Sequence, residues 1–281
     1  MDTVIVSDGG AFSQMISAPL GLRAEKPRST GLTMVIDKGL GFSTLTDILE
    51  VGAAYVDLFK FGFGTSPLYP EPILRRKLGL LSEVEVLACP GGTLGEIAWL
   101  QGSYTDYLQR CQSIGFTAME VSDGTIELPA SDRQKAIAQA KDIFPVVVSE
   151  IGKKLSHSMD IVNCARSVIA DLNAGSDYVI IEGRESGEGV GVYDANGKVL
   201  DNLVQTFIDE LPAWARKKVI WEAPKKQQQV EFIRRFGSDV NLGNIPAGDL
   251  LALECLRLGL RADTLVLAMQ ASHPHRNPTA Q

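Results

Sequence analysis

The chain has 281 residues and a net charge of −7, with 45% hydrophobic and 22% charged residues. That balance fits a globular protein with a sizeable core, and it disfavours a general nucleic-acid role, because phosphate backbones demand a basic face. No apolar stretch approaches the ~18 residues of a membrane helix and no secretory signal opens the chain, so we expect a cytoplasmic homo-oligomer with neither membrane nor nucleic-acid partners.

The four cysteines (Cys89, Cys111, Cys164, Cys255) lack CxxC spacing, which argues against a zinc site or a disulfide framework and leaves them as small buried hydrophobes. In chain order, a polar start over residues 1–27 precedes eight apolar runs that each end in a charged, glycine or asparagine residue. These are TMVID to Asp37, YVDLFK to Lys60, VEVLACPGG to Gly91, AMEVSD to Asp123, VVVSE to Glu150, YVIIE to Glu182, VIWE to Glu222 and VNLGN to Asn244. Continuous apolar runs of this length read as parallel strands covered by helices on both faces. Their starts, near residues 32, 55, 84, 118, 146, 178, 219 and 240, repeat at roughly 30 residues, the length of a βα unit. Between them, Ser131 reads as the N-cap of SDRQKAIAQAKD, and Gly115, Gly175, Gly237 and Gly259 each follow a helical pattern where a left-handed C-cap is wanted.

The expectation is an α/β fold, a single (β/α)8 TIM barrel over residues 28–269, with an N-terminal extension (1–27) and a flexible tail (270–281). A doubly wound open sheet fits less well, since GRESGEGVGVYD is not GxGxxG. The Gly-rich stretch 183–197 is the longest insertion and follows strand six on the active-site side, where long loops act as lids or clamps.

In a barrel the strand ends converge on one rim, which gathers Asp37, Lys60, Asp123, Glu150, Glu182 and Glu222. Only three histidines occur, and two of them, His273 and His275, lie in the tail, so proton transfer falls to Lys, Asp or Glu. Lys153 and Lys154, in SEIGKK after strand five, sit where neighbouring cations lower a lysine's pKa. Lys60, Asp37 and Lys38 are the other catalytic candidates. Glu150, Glu182 and Glu222, with Asp123, form a set of hard oxygen ligands suited to Mg2+. Each of these carboxylates has a plainer reading as half of a structural salt bridge, and Asp123 has one as a turn former before Gly124. For phosphate, Gly91 and Gly92 in PGGTLGE can aim backbone N–H groups at an anion, and Gly243 and Asn244 end strand eight, where barrels commonly hold one. Arg184, Lys154 and Lys225 complete the anion-binding candidates.

The strings GLTMVIDKGLG, DLFKFGFGTS, PGGTL, EVSDGTIE, SEIGKK, DYVIIEGRESG, WEAPKKQQQ, VNLGNI and LRLGLRADT together resemble, in order and spacing, the phosphosulfolactate synthase family. The resemblance spans about residues 26–265. It implies a TIM barrel, Mg2+ dependence and addition of sulfite to phosphoenolpyruvate, giving 2-phospho-3-sulfolactate on the route to coenzyme M or sulfolactate. It assigns Lys153, the first lysine of the GKK block, as the acid that protonates the substrate carbon, with Lys60 or Lys38 as competitors. Where family members often carry Tyr before PGGTL, this chain has Cys89. Two alternatives stand beside this reading: a different phosphate-handling lyase or aldolase that forms a Schiff base on Lys153 or Lys60, and a non-catalytic stress-related homologue.

Overall fold

The computed structural model describes residues 11–12, 15–152, 160–184 and 186–272. Eight short strands form one parallel sheet: β1 (Thr33–Asp37), β2 (Leu58–Phe61), β3 (Leu87–Pro90), β4 (Ala118–Ser122), β5 (Val146–Ile151), β6 (Tyr178–Ile181), β7 (Val219–Glu222) and β8 (Asn241–Pro246). Hydrogen-bonded neighbours run in the order β3-β2-β1-β8-β7-β6-β5-β4, so the sheet curls round until β3 and β4 face each other. These two share no ladder. Their lower ends are joined instead through Thr117, whose N–H donates to Ala88 O at 3.1 Å and whose Oγ1 accepts from Ala88 N at 2.8 Å.

Helices α1 (Phe42–Gly52), α2 (Glu71–Glu83), α3 (Gly92–Leu100), α4 (Tyr104–Ile114), α5 (Ala130–Ile143), α6 (Ile161–Asn173), α7 (Asp201–Glu210), α8 (Ala213–Arg216), α9 (Lys226–Phe236), α10 (Leu250–Arg257) and α11 (Ala262–Ser272) lie outside the sheet. The barrel predicted from the strand repeat is therefore the fold. None of these helices is long and apolar enough to cross a membrane.

Strand alternation sorts the side chains into two cores. Met34, Leu58, Cys89, Ala118, Val148, Ile180 and Ile220 fill the barrel interior. Their neighbours point outward: Val35, Phe59, Phe61, Met119 and Val147 pack beneath α1, α2, α4 and α5, while Val179, Val219, Trp221, Leu242 and Ile245 pack on the opposite side. Trp221 stacks on Phe232 at 4.8 Å and on Phe236 at 5.8 Å, which docks α9 onto β7. One irregularity matters for function. Against β1, Thr33 pairs with Leu242 and Val35 with Ile245, so β8 advances three residues while β1 advances two, a β-bulge at Gly243 and Asn244.

Several boundaries differ from the sequence reading. The second strand starts at Leu58, because Ala53–Tyr55 continue from α1 as a 3₁₀ turn. The third starts at Leu87, because α2 runs on to Glu83. Helix α5 starts at Ala130 behind Pro129, with no side-chain cap, so Ser131 lies inside its first turn. Gly115, Gly175, Gly237 and Gly259 all take positive φ at or just past helix ends. The tail expected from residue 270 is still helical to Ser272. The segment before β1 braces the barrel floor: Arg23 pairs with Glu254, Arg28 Nε lies 3.0 Å from Asp57, and Lys26 Nζ donates to Ala53 O and Val84 O at 3.1 and 3.0 Å.

Candidate active site

At the C-terminal end of the barrel a cavity of about 440 Å³ is lined by Ile36, Lys60, Phe63, Gly91, Gly92, Thr93, Glu120, Glu150, Glu182, Arg184, Glu222 and Asn244, among others. Its size suits a small ligand. Lys60 is its electrostatic centre. The side chain points inward from β2 and is 6% exposed. Its Nζ lies 2.9 Å from Glu120 Oε2, 3.0 Å from Glu150 Oε2 and 3.2 Å from Glu222 Oε1. Burial alone would lower the Lys60 pKa, but Glu120, Glu150, Glu222 and Glu182 outweigh it and hold the ammonium well above its ordinary value.

Oxygens of Glu150, Glu182 and Glu222 all lie within 4.8 Å of one another, and all three residues are buried. Backbone amides of neighbouring loops aim the carboxylates. Gly183 N donates to Glu222 Oε2 at 2.8 Å, Gly92 N to Glu120 Oε1 at 2.7 Å, and Arg184 N to Glu182 Oε1 at 2.7 Å. Burial raises the Glu222 carboxyl above its ordinary range; the Lys60 ammonium opposes the shift and Glu150 adds to it. Glu120 is pushed up to about 7 in the same way, by burial first, with Lys60 opposing and Glu150 reinforcing. Four buried carboxyl groups gathered round Lys60 give an all-oxygen setting that a divalent cation with oxygen preference would fit.

Asn244 adds a neutral oxygen. The bulge carries it at φ 52°, a left-handed conformation that Asn tolerates, and turns its side chain into the cavity rather than out towards the helices. Asn244 is 4% exposed, and its Oδ1 has no hydrogen-bond partner among the described residues. At Gly243, beside it, a Cβ would stand 2.6 Å from Met34 Cε, so a side chain there would push the Met34 methyl aside.

Other predicted site residues are placed differently. Asp37 is turned out of the barrel, because inward and outward positions alternate along β1 and Ile36 takes the inward one. It is fully buried against Lys77 and accepts from Gly39 N and Leu40 N, each at 2.7 Å. Asp123 follows the inward Ser122 and pairs with Arg133 at 2.7 Å, outside the cavity lining. Lys38 is exposed, with Nζ 5.3 Å from the centre of the Phe63 ring. Lys225 pairs with Glu188 instead of facing the cavity. The PGGTL amides are partly committed within the protein, Gly91 N to Phe61 O at 2.9 Å and Gly92 N to Glu120. Close approach explains that glycine, since a Cβ on Gly92 would lie 2.5 Å from Ser122 Cβ. Lys153 and Lys154 lie outside the described residues.

Glu120 is the main site residue missed from sequence, with Glu96 behind it. Glu96, 2% exposed on α3, accepts from Ser122 Oγ and from Thr125 N at 3.0 Å. Gln228 was also missed: it ties down the 183–197 insertion by donating to Gly187 O at 2.8 Å and Gly197 O at 3.0 Å. At the opposite end of the barrel, a second cavity of about 420 Å³ is mostly apolar. Its Lys26, Arg28 and Asp57 are engaged with one another's segments and with carbonyls, so it presents no comparable chemistry.

Residues 21–263 match the family model for (2R)-phospho-3-sulfolactate synthase (ComA). Phosphosulfolactate synthase from Methanothermobacter thermautotrophicus is 42% identical over 246 residues, covering 86% of this chain and 94% of the relative. The protein of the same name from Bacillus subtilis is 35% identical over 258 residues, covering 89% and 98%. Among solved structures, the YdjI aldolase from Escherichia coli K12 superposes with a TM-score of 0.52 at 11% identity, covering 90% of this chain and 94% of that one. Phosphonopyruvate hydrolase gives 0.51 at 14% identity, covering 89% and 85%. At such low identity these two likenesses speak for the barrel alone. The family match and the two relatives cover nearly the whole barrel, and the chain belongs to the phosphosulfolactate synthase family.

Proposed function

We propose that this protein joins sulfite to phosphoenolpyruvate to give 2-phospho-3-sulfolactate, with Mg2+ held at the carboxylate end of the barrel. The observation that carries this reading is the buried Glu150, Glu182 and Glu222 triad at the C-terminal rim of a barrel of this family. An all-oxygen donor set of three carboxylates, with the Asn244 amide oxygen lining the same cavity, fits a hard divalent ion and does not fit a soft one. Bound there, such an ion supplies positive charge against the negative charge that develops on the substrate oxygens.

The remaining work falls to the chain's own groups. Arg184 lines the cavity and presents a planar fork suited to the phosphate or carboxylate of the enol ester. Lys60 brings a permanent positive charge to a pocket that must receive two anions. The sulfur lone pair forms a bond to the methylene carbon, the alkene π pair moves to the adjacent carbon and its carboxylate, and a proton then enters at that carbon. The family resemblance gives this proton to Lys153. Its exchange for Ala is expected to reduce turnover by roughly 10² or more while phosphoenolpyruvate still binds.

The test is direct. Purified protein incubated with phosphoenolpyruvate, sulfite and Mg2+ should yield the sulfonated adduct by mass spectrometry and lose it with EDTA. No adduct under either condition rejects the reading, and a borohydride-trapped lysine adduct with a carbonyl substrate would replace it with the aldolase alternative.

A further inference from the structure

Lys60 and the proposed cation draw on the same carboxylates. Glu150 and Glu222 belong to the triad whose oxygens lie within 4.8 Å of one another, and both are also in contact with Lys60 Nζ, at 3.0 and 3.2 Å. An ammonium has three donors, and here they face three carboxylates, the third being Glu120 at 2.9 Å. Glu120 stands outside the triad, aimed from behind by Gly92 N. A divalent ion draws carboxylate oxygens to roughly 2.0–2.6 Å and repels a neighbouring ammonium, so the two cations cannot share those carboxylates with Lys60 left in place. Asn244 Oδ1 points separately to a ligand at this spot: it is buried in the same cavity, has no partner among the described residues, and Lys60 does not serve it.

We propose that Lys60 is a built-in placeholder cation. In the metal-free protein it offsets the repulsion of the carboxylate cluster. When the divalent ion enters, Lys60 is displaced from Glu150 and Glu222, stays tethered to Glu120, and turns its released donors into the cavity, where they meet an anionic substrate. Lys60 is thus a positioning residue that couples cation loading to anion binding: the anion contact from Lys60 becomes available once the metal has taken the triad. This inference rests on the metal reading above, and the experiment separates the two.

Mn2+ binding is measured by isothermal titration calorimetry on the full chain, wild type against Lys60→Met and Lys60→Gln, with Lys225→Met as a control that removes one positive charge away from the triad. Removal of the competitor is expected to tighten Mn2+ binding about tenfold or more in both Lys60 variants, while the control shifts by less than about threefold, as expected for a screened distant charge. The melting temperature without metal should fall in the Lys60 variants, and Mn2+ should raise it by more than it does in wild type. If Lys60→Gln, which removes the charge but keeps two N–H donors on a side chain of similar bulk, folds and binds Mn2+ equally or more weakly than wild type, the placeholder role is overturned and the metal site stands. If neither wild type nor either variant binds Mn2+, the metal reading and the placeholder role fall together.

Discussion

At Asn244 the backbone is left-handed and the side-chain oxygen is buried without a partner, two unfavourable features at one residue. Such a combination marks a position shaped for a ligand rather than for the fold. Asn244→Gly relieves both, so its stability to urea should stay within about 1 kcal/mol of wild type or exceed it. Mn2+ affinity should nevertheless fall about tenfold, the usual scale for losing a supporting group at a metal site. A variant that loses stability and keeps affinity would make Asn244 a structural residue. The residues legible in the sequence were those whose charge ends an apolar run: Lys60, Glu150, Glu182 and Glu222 all reach the cavity. Glu120 is less legible because it sits inside its strand, two residues before the inward Ser122, whereas the charge that ends the run belongs to Asp123. Counting alternate positions back from the strand end would have found it.

Strand alternation also explains why one acidic candidate, Asp37, went elsewhere. A single step along β1 exchanges the inside of the barrel for the outside, so Asp37 serves as the buried partner of Lys77 beneath α2 while Ile36 lines the site. Lys77 Nζ further donates to Leu40 O and Tyr69 Oη, each at 2.9 Å, and this cluster fastens the β1 loop to the second βα unit. Lys77→Met leaves the buried Asp37 carboxylate without its counter-ion, held only by the Gly39 and Leu40 amides and Tyr69, with an expected loss of about 3 kcal/mol in chemical denaturation. Adding Asp37→Asn should recover much of it, since a neutral pair no longer carries an isolated charge. A loss under 1 kcal/mol for the single variant would mean that solvent reaches Asp37. The strand repeat was readable because burial on both faces leaves unbroken apolar runs. Strand starts were less so, since the 3₁₀ turn at Ala53–Tyr55 carries apolar residues that mimic a strand.

On the scale of the whole molecule, Cys89 and Cys111 are the buried packing residues expected of all four cysteines, while Cys164 and Cys255 are half-buried. Burial pushes the Cys89 thiol well up, that of Cys111 up to about 12 and that of Cys164 up to about 11. A raised pKa means the neutral thiol persists as pH rises through 8, so at that pH these three groups have almost no thiolate. Titration of the native protein with a disulfide reagent at pH 8 should therefore leave all three unmodified until denaturant is added. Rapid labelling of Cys111 in native protein would contradict its burial. The N-terminal segment has no periodic pattern and so reads from sequence as an extension. Its Arg23, Lys26 and Arg28 nonetheless reach the barrel floor through long-range ion pairs and carbonyl contacts that no local pattern announces.

The one join in the ring without a strand ladder, between β3 and β4, is fastened at its lower end by Thr117 and at its upper end by Glu120, which takes Gly92 N from one side and Lys60 from across the gap. The upper half of the clasp that shuts the cylinder is therefore made of Gly92, Glu120 and Lys60, residues that also line the cavity. Any step that pulls Lys60 away from its companions tugs on that clasp, and a chain that has not finished curling up has no pocket to offer.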